Sequence, residues 1–218
     1  IDLHQQPREE VIKVGAIVLS PGYGAFDPRP RGDYGYGTIQ NVVTSLDFER
    51  LLCATGPHEG EILRPSDKTH PHKIAWIHCV GSRQVQEGGH SYCSAVCCTY
   101  VQKQVILTRD HDADTEAVIF HNDIRSYGKD FERFYERAKA LPGVRFERSY
   151  VSIGREIPET KNVTIRYASD GAVKEEEFDL VVLGVGLEPP ADAKLVAQQF
   201  GVELDAHGFC KTDPGNPV

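Results

Sequence analysis

Apolar positions in this chain follow two periods. Runs rich in β-branched and aromatic residues mark strands at residues 11–20 (VIKVGAIVLS), 73–79 (KIAWIHC), 115–121 (TEAVIFH), 144–147 (VRFE) and 179–185 (DLVVLGV). Elsewhere the spacing is helical. Phe48, Leu51 and Leu52 share a face of a helix expected over residues 45–54, started by Thr44-Ser45-Leu46-Asp47. Phe131, Phe134, Ala138 and Leu141 form a stripe on a second helix closed by Pro142-Gly143, and residues 191–200 read as a third, stopped by Gly201. An amphipathic segment follows Cys98, so strand, helix and strand succeed one another between Lys73 and His121 as the opening of a βαβ unit. Residues 150–153, 162–168 and 173–178 alternate apolar with polar and read as a small antiparallel meander turning at Ser169-Asp170-Gly171. The class these elements define is α/β.

Composition narrows the picture. At 218 residues the chain is one or two domains. A net charge of −8 speaks against nucleic acid as a partner, because a phosphate backbone rewards clustered Lys and Arg. No apolar run approaches membrane-spanning length, so no direct membrane span is expected. The absence of Met and the opening Ile1-Asp2-Leu3 lead us to expect a fragment of a longer protein. Six cysteines crowd together rather than spreading out, which fits a cofactor site in a reducing, cytoplasmic setting better than a disulfide framework.

Four of the six sit in one stretch. Where a dinucleotide fold would carry G-x-G-x-x-G after its first strand, this chain has Cys79-Val80-Gly81-Ser82-Arg83, followed by Cys93, Cys97 and Cys98. The loop after such a strand faces a helix N-terminus, which favours an anion. Four thiolates there can hold an iron–sulfur cluster or zinc, form a redox disulfide, or stay unliganded. On a continuous helix Cys93 and Cys97 would share a face, with Cys98 turned by ~100° from Cys97, which suits a cubane better than a single ion. Cys53, placed in the first helix, and Cys210 read as structural. The turns at Ser20-Pro21-Gly22 and Gly186-Leu187-Glu188-Pro189 end apolar strands on residues that let a ligand come close to the backbone. Arg83, Arg125 and Lys129 are candidates for compensating a negative cofactor, and His78 could tune one as a donor behind the ligands.

Taken together, CVGSR, YCSAVCC and DIRSYGK resemble the iron–sulfur flavoprotein subunits of heterodisulfide reductases, with GAIVLSPGYGAFDP, NVVTSLDFERLL and DLVVLGVGLEPP in agreement. The resemblance implies a three-layer dinucleotide-binding fold of the FAD/NAD-linked reductase type, similar to thioredoxin reductase. It implies a remnant of the FAD domain plus connector at 1–72, a nucleotide-binding-like domain carrying the cysteines at 73–190, and a return segment at 191–218. By the same resemblance Cys79, Cys93, Cys97 and Cys98 ligate a [4Fe–4S] cluster, and Ser20, Pro21, Gly22, Gly186, Leu187, Glu188 and Pro189 approach FAD. The N-terminal glycine fingerprint for the FAD pyrophosphate is absent from this chain. The implied activity is electron-transfer oxidoreductase, partnered by the other subunits of such a complex and by electron-donor proteins, with the isolated fragment inactive. The alternatives are a zinc-stabilised assembly domain and a thiol–disulfide reductase using Cys93 and Cys97.

Overall fold

A computed structural model describes residues 3–213 and 215; Ile1 and Asp2 of the opening, and residues 214 and 216–218 of the return segment, lie outside the described residues. The chain forms two compact units, one of Ile1–Gly24 with Pro189–Val218 and one of Ala25–Glu188.

The larger unit is built on a parallel sheet. Its strands are β1 (Val42–Thr44), β2 (Lys73–Val80), β3 (Glu116–His121), β4 (Val144–Arg148) and β8 (Leu180–Val185), in the spatial order β1-β8-β2-β3-β4. The apolar runs alternate between two cores. Ile74, Trp76, Ala117, Ile119, Leu180 and Val182 point toward α1 (Ser45–Leu52) and α2 (Cys97–His111), with Phe48, Val101 and Val105 completing that layer. Ala75, Ile77, Val118, Phe120, Val181 and Leu183 point the other way, onto Val163, Ile165, Tyr167 and Phe178 of an antiparallel meander. That meander is β5 (Val151–Glu156), β6 (Val163–Ser169) and β7 (Ala172–Phe178). The expected three-layer α/β arrangement is therefore present: helices, parallel sheet, antiparallel sheet. Both sheet faces are covered, which is why its strands read as nearly continuous apolar runs.

Local chemistry explains the joints. Thr44 caps α1 through a reciprocal box: its Oγ1 accepts the Asp47 N–H at 3.2 Å, and the Asp47 carboxylate accepts the Thr44 N–H at 3.0 Å. The meander turns on Asp170 and Gly171, both at positive φ (55° and 77°), the backbone a two-residue hairpin needs. The helix α3 (Phe131–Lys139) buries Ala138 as its stripe predicts. In the smaller unit, α4 (Ala193–Phe200) ends on Gly201 in the left-handed region, φ 67°.

Two expectations fail. Residues 11–20 form no strand, and Val11 and Val18 are 95% and 90% exposed. A strand is held by its neighbours, and among the described residues no strand pairs with this run, so β propensity alone leaves it irregular. Cys53 is not inside the first helix but stands at its C-cap, where ψ has turned to 132°.

Candidate functional site

The four cysteines come from three places in the larger unit. Cys79 lies near the end of β2 at a break in register between Ile77 and Val80, and its φ of 61° is left-handed. Such a conformation costs an ordinary residue about 1 kcal/mol or more. It reverses the strand's alternation just before the loop. Cys97 and Cys98 open α2 and are buried. Cys93 lies before the helix in the loop, so the expectation that it shares a helical face with Cys97 is corrected. Ala95 at φ 63° separates them, a left-handed residue that no helix interior accommodates.

The loop from Gly81 to Ser94 is tied down along its length. Arg83 N–H donates to Tyr92 O (2.9 Å), Gln84 N–H to His90 O (2.8 Å) and His90 N–H to Gly81 O (3.0 Å). The hydroxyls of Ser82 and Ser94 lie 2.8 Å apart, Ser94 Oγ accepts the Leu187 N–H at 2.8 Å, and the Tyr92 hydroxyl donates to Leu187 O at 2.9 Å. His90 Nε2 meets Glu188 Oε1 at 2.7 Å and its ring stacks on Tyr92. Gly186 is glycine for a reason visible here: a Cβ would fall 2.1 Å from Ser82 Oγ and 2.7 Å from Ser94 Oγ. The strand end at Gly186, Leu187 and Glu188 thus holds the cysteine loop in register. In the smaller unit Pro21, Gly22 and Pro189 line an apolar pocket of about 170 Å³ with Val196, Leu204 and Phe209, and Ser20 is exposed.

The helix that presents Cys97 and Cys98 is fixed by buried amides that sequence pattern does not flag. Gln102 exchanges hydrogen bonds with Ser126 at 2.9 and 3.1 Å, and Gln104 donates to Ser45 O at 2.8 Å. Its first turn carries no acid and its N-cap, Val96, offers no side-chain bond. The free N–H groups and dipole of that end therefore favour an anion.

All six cysteines are free thiols. Burial pushes Cys97 up to about 12 and Cys98 up to about 11, opposed by the Tyr100 hydroxyl at Cys97 and by the Arg125 N–H, 3.3 Å from Cys98 Sγ. Burial also raises Cys79, opposed by the Arg83 guanidinium. Beyond burial, the charges of Cys79, Cys93 and Cys98 oppose ionisation of Cys97, and those of Cys79 and Cys93 oppose ionisation of Cys98. His78, buried against Cys98 Sγ at 3.8 Å, has its pKa driven down to about 3 by desolvation and is neutral. Among the described residues, no three of His, Cys, Asp and Glu are arranged to hold a metal ion. Lys129 is exposed, whereas Arg125 joins the site through Asp123. Asp123 opens the DIRSYGK stretch but was not singled out as a candidate on sequence grounds.

Fold and site together define a class: a three-layer α/β domain in which cysteines occupy the strand–loop–helix junction where open parallel sheets take their ligands. No protein-family model matches the chain. The sequence relatives are more specific. The chain is 44% identical over 209 residues to the CoB–CoM heterodisulfide reductase iron-sulfur subunit of Methanocaldococcus jannaschii, covering 95% of this chain and 32% of that protein. It is 43% identical over 209 residues to the corresponding subunit of the H2:CoB-CoM heterodisulfide,ferredoxin reductase of Methanothermobacter marburgensis, covering 94% and 31%. The chain is homologous to a segment of this heterodisulfide reductase subunit and spans about a third of the length of these relatives. Among solved structures, the thioredoxin reductase of Lactococcus lactis is similar over 88% of this chain and 50% of its own, at 19% identity and a TM-score of 0.47.

Proposed function

We propose that this chain is the cluster-bearing part of a flavin-dependent electron-transfer oxidoreductase, working with the other subunits of a heterodisulfide reductase-like complex and with electron-donor proteins. The carrying observation is that Cys79 at a strand end, Cys93 in the loop, and Cys97 and Cys98 at the start of α2 all lie at one strand–loop–helix junction, where, beyond burial, the charges of Cys79 and Cys93 oppose ionisation of Cys97 and Cys98. Thiols whose charges repel one another are stabilised as thiolates by a shared cationic centre. A cluster, whose sulfur ligands sit on separate irons, suits thiolates drawn from a strand end, a loop and a helix start. A [4Fe–4S] cluster supplies one-electron chemistry and FAD supplies two-electron chemistry.

The chain's own residues have distinct tasks in this reading. Cys79, Cys93, Cys97 and Cys98 would hold the cluster. The uncapped end of α2 favours its negative charge, and the Arg125 amide donates to Cys98 Sγ. Gly186, Leu187 and Glu188 brace the loop bearing Cys93. We assign FAD to Ser20, Pro21, Gly22, Gly186, Leu187, Glu188 and Pro189 in the complete protein, whose domains we place at 1–72, 73–190 and 191–218. The setting we assign is cytoplasmic, in line with free thiols; no described helix is long and apolar enough to cross a membrane.

The test is anaerobic reconstitution of the chain with iron and sulfide. The wild type is expected to take up about four irons, Cys53→Ala to match it, and Cys97→Ala to lose them. One zinc per chain with no broad visible absorbance would overturn the assignment.

A further inference from the structure

A single carboxylate beside the candidate ligand sulfurs holds two guanidinium groups. Arg83 pairs through Nη1 with Asp123 Oδ1, and Arg125 Nε lies 3.3 Å from the same oxygen. The Arg83 guanidinium opposes the rise that burial gives the Cys79 pKa, while the backbone N–H of Arg125, not its guanidinium, donates to Cys98 Sγ at 3.3 Å. The backbone carbonyl of Asp123 is 4.0 Å from that sulfur, so the residue is seated against the site and not merely near it. Its charge is felt at both Cys79 and Cys98.

We propose that Asp123 is a positioning residue that sets the reduction potential of the cluster, by neutralising the guanidinium charge of Arg83, which acts on Cys79, and that of Arg125, whose backbone N–H meets Cys98. The inference rests on the cluster reading above. Adding an electron makes a cluster more negative, so a bare cation nearby favours the reduced form. A carboxylate that pairs with the cation cancels much of that gain. The side chains of Arg83, Arg125 and Asp123 are 23%, 40% and 42% exposed, so solvent weakens the field without removing it.

The ion pair gives a test by sign. Breaking it from either side removes the same contact, so a purely structural role moves both variants alike. A charge role moves them oppositely. The experiment is an EPR-monitored redox titration, with iron analysis, of the anaerobically reconstituted full chain as wild type, Asp123→Asn, Arg83→Gln and Arg125→Gln. Asp123→Asn is expected to raise the midpoint potential, and both arginine variants to lower it. The expected size is on the order of tenfold in the reduction equilibrium, ~59 mV for a one-electron couple. The Asp123→Asn/Arg83→Gln double variant is expected to return toward wild type. Shifts of one sign, or none, at unchanged iron content overturn the proposal and leave the cluster reading standing. A wild type that takes up no cluster overturns that reading and the proposal with it. If Asp123→Asn fails to load, Arg125→Gln decides, and the absence of a downward shift there overturns the proposal.

Discussion

Glu176 pins the antiparallel layer to the parallel sheet, and its removal has a calculable cost. The carboxylate accepts hydrogen bonds from Tyr167 on β6 (2.7 Å) and Arg145 on β4 (2.6 Å), and pairs with Lys73 on β2 at 2.9 Å. Burial alone would raise its pKa, but Lys73, Tyr167 and Arg145 outweigh burial and bring it from the ordinary 4.5 down to about 2. At 1.36 kcal/mol per pKa unit that depression has a ceiling of ~3 kcal/mol. The Glu176 side chain is 19% exposed and that of Arg145 40%, so screening reduces the expected cost of Glu176→Gln to ~1–2 kcal/mol. The folded pKa lies below the unfolded one. The stabilisation is therefore complete above pH 4.5 and is lost as pH falls through about 2. Urea unfolding of both proteins across this range measures it: the gap between wild type and Glu176→Gln should be constant above ~pH 5 and close toward ~pH 2. A gap that stays flat or widens on acidification would refute the reasoning.

Other substitutions probe the frame of the site. Gly186→Ala places a methyl 2.1 Å from Ser82 Oγ, which must rotate away from Ser94; a loss of ~1–2 kcal/mol by denaturant melting is expected, partly recovered by adding Ser82→Gly. Thr44→Ala removes the capping box of α1 and should cost ~1 kcal/mol in the same assay, with little effect on iron uptake because none of the four candidate ligands lies on α1. Gln102→Ala leaves the Ser126 hydroxyl without its buried partner and should cost ~1–3 kcal/mol.

Much of the scaffold was legible because its determinants are local. Ile74 and Trp76 against Ala75 and Ile77 are the two faces of a doubly covered strand, and Asp170-Gly171 supplies a turn only one backbone geometry fits. Residues 11–20 misled for the complementary reason: β-branched residues state a preference, and a strand also needs a neighbour. Spacing let the four cysteines be proposed as a group but did not give their geometry. The left-handed Cys79 and Ala95 take Cys79 out of the regular strand and keep Cys93 out of the helix, and nothing in either residue type announces that conformation. The roles of Asp123, Gln102 and Gln104 were hidden for a third reason, although Asp123 opens the DIRSYGK stretch. Each is an ordinary polar residue until the fold brings Arg83, Ser126 or Ser45 to it from 40, 24 and 59 positions away. The expectation about Gly186 came from backbone approach to a cofactor, whereas the contact seen is with two serine hydroxyls of the cysteine loop.

The account turns on four sulfurs sharing one iron–sulfur centre. The most direct measurement is a visible and EPR spectrum of the full-length protein, purified anaerobically and reduced, beside its Cys97→Ala variant. A broad visible band and a reduced-cluster EPR signal assigned to this segment, both lost in the variant, are the predicted result. Identical spectra from the two proteins would contradict it.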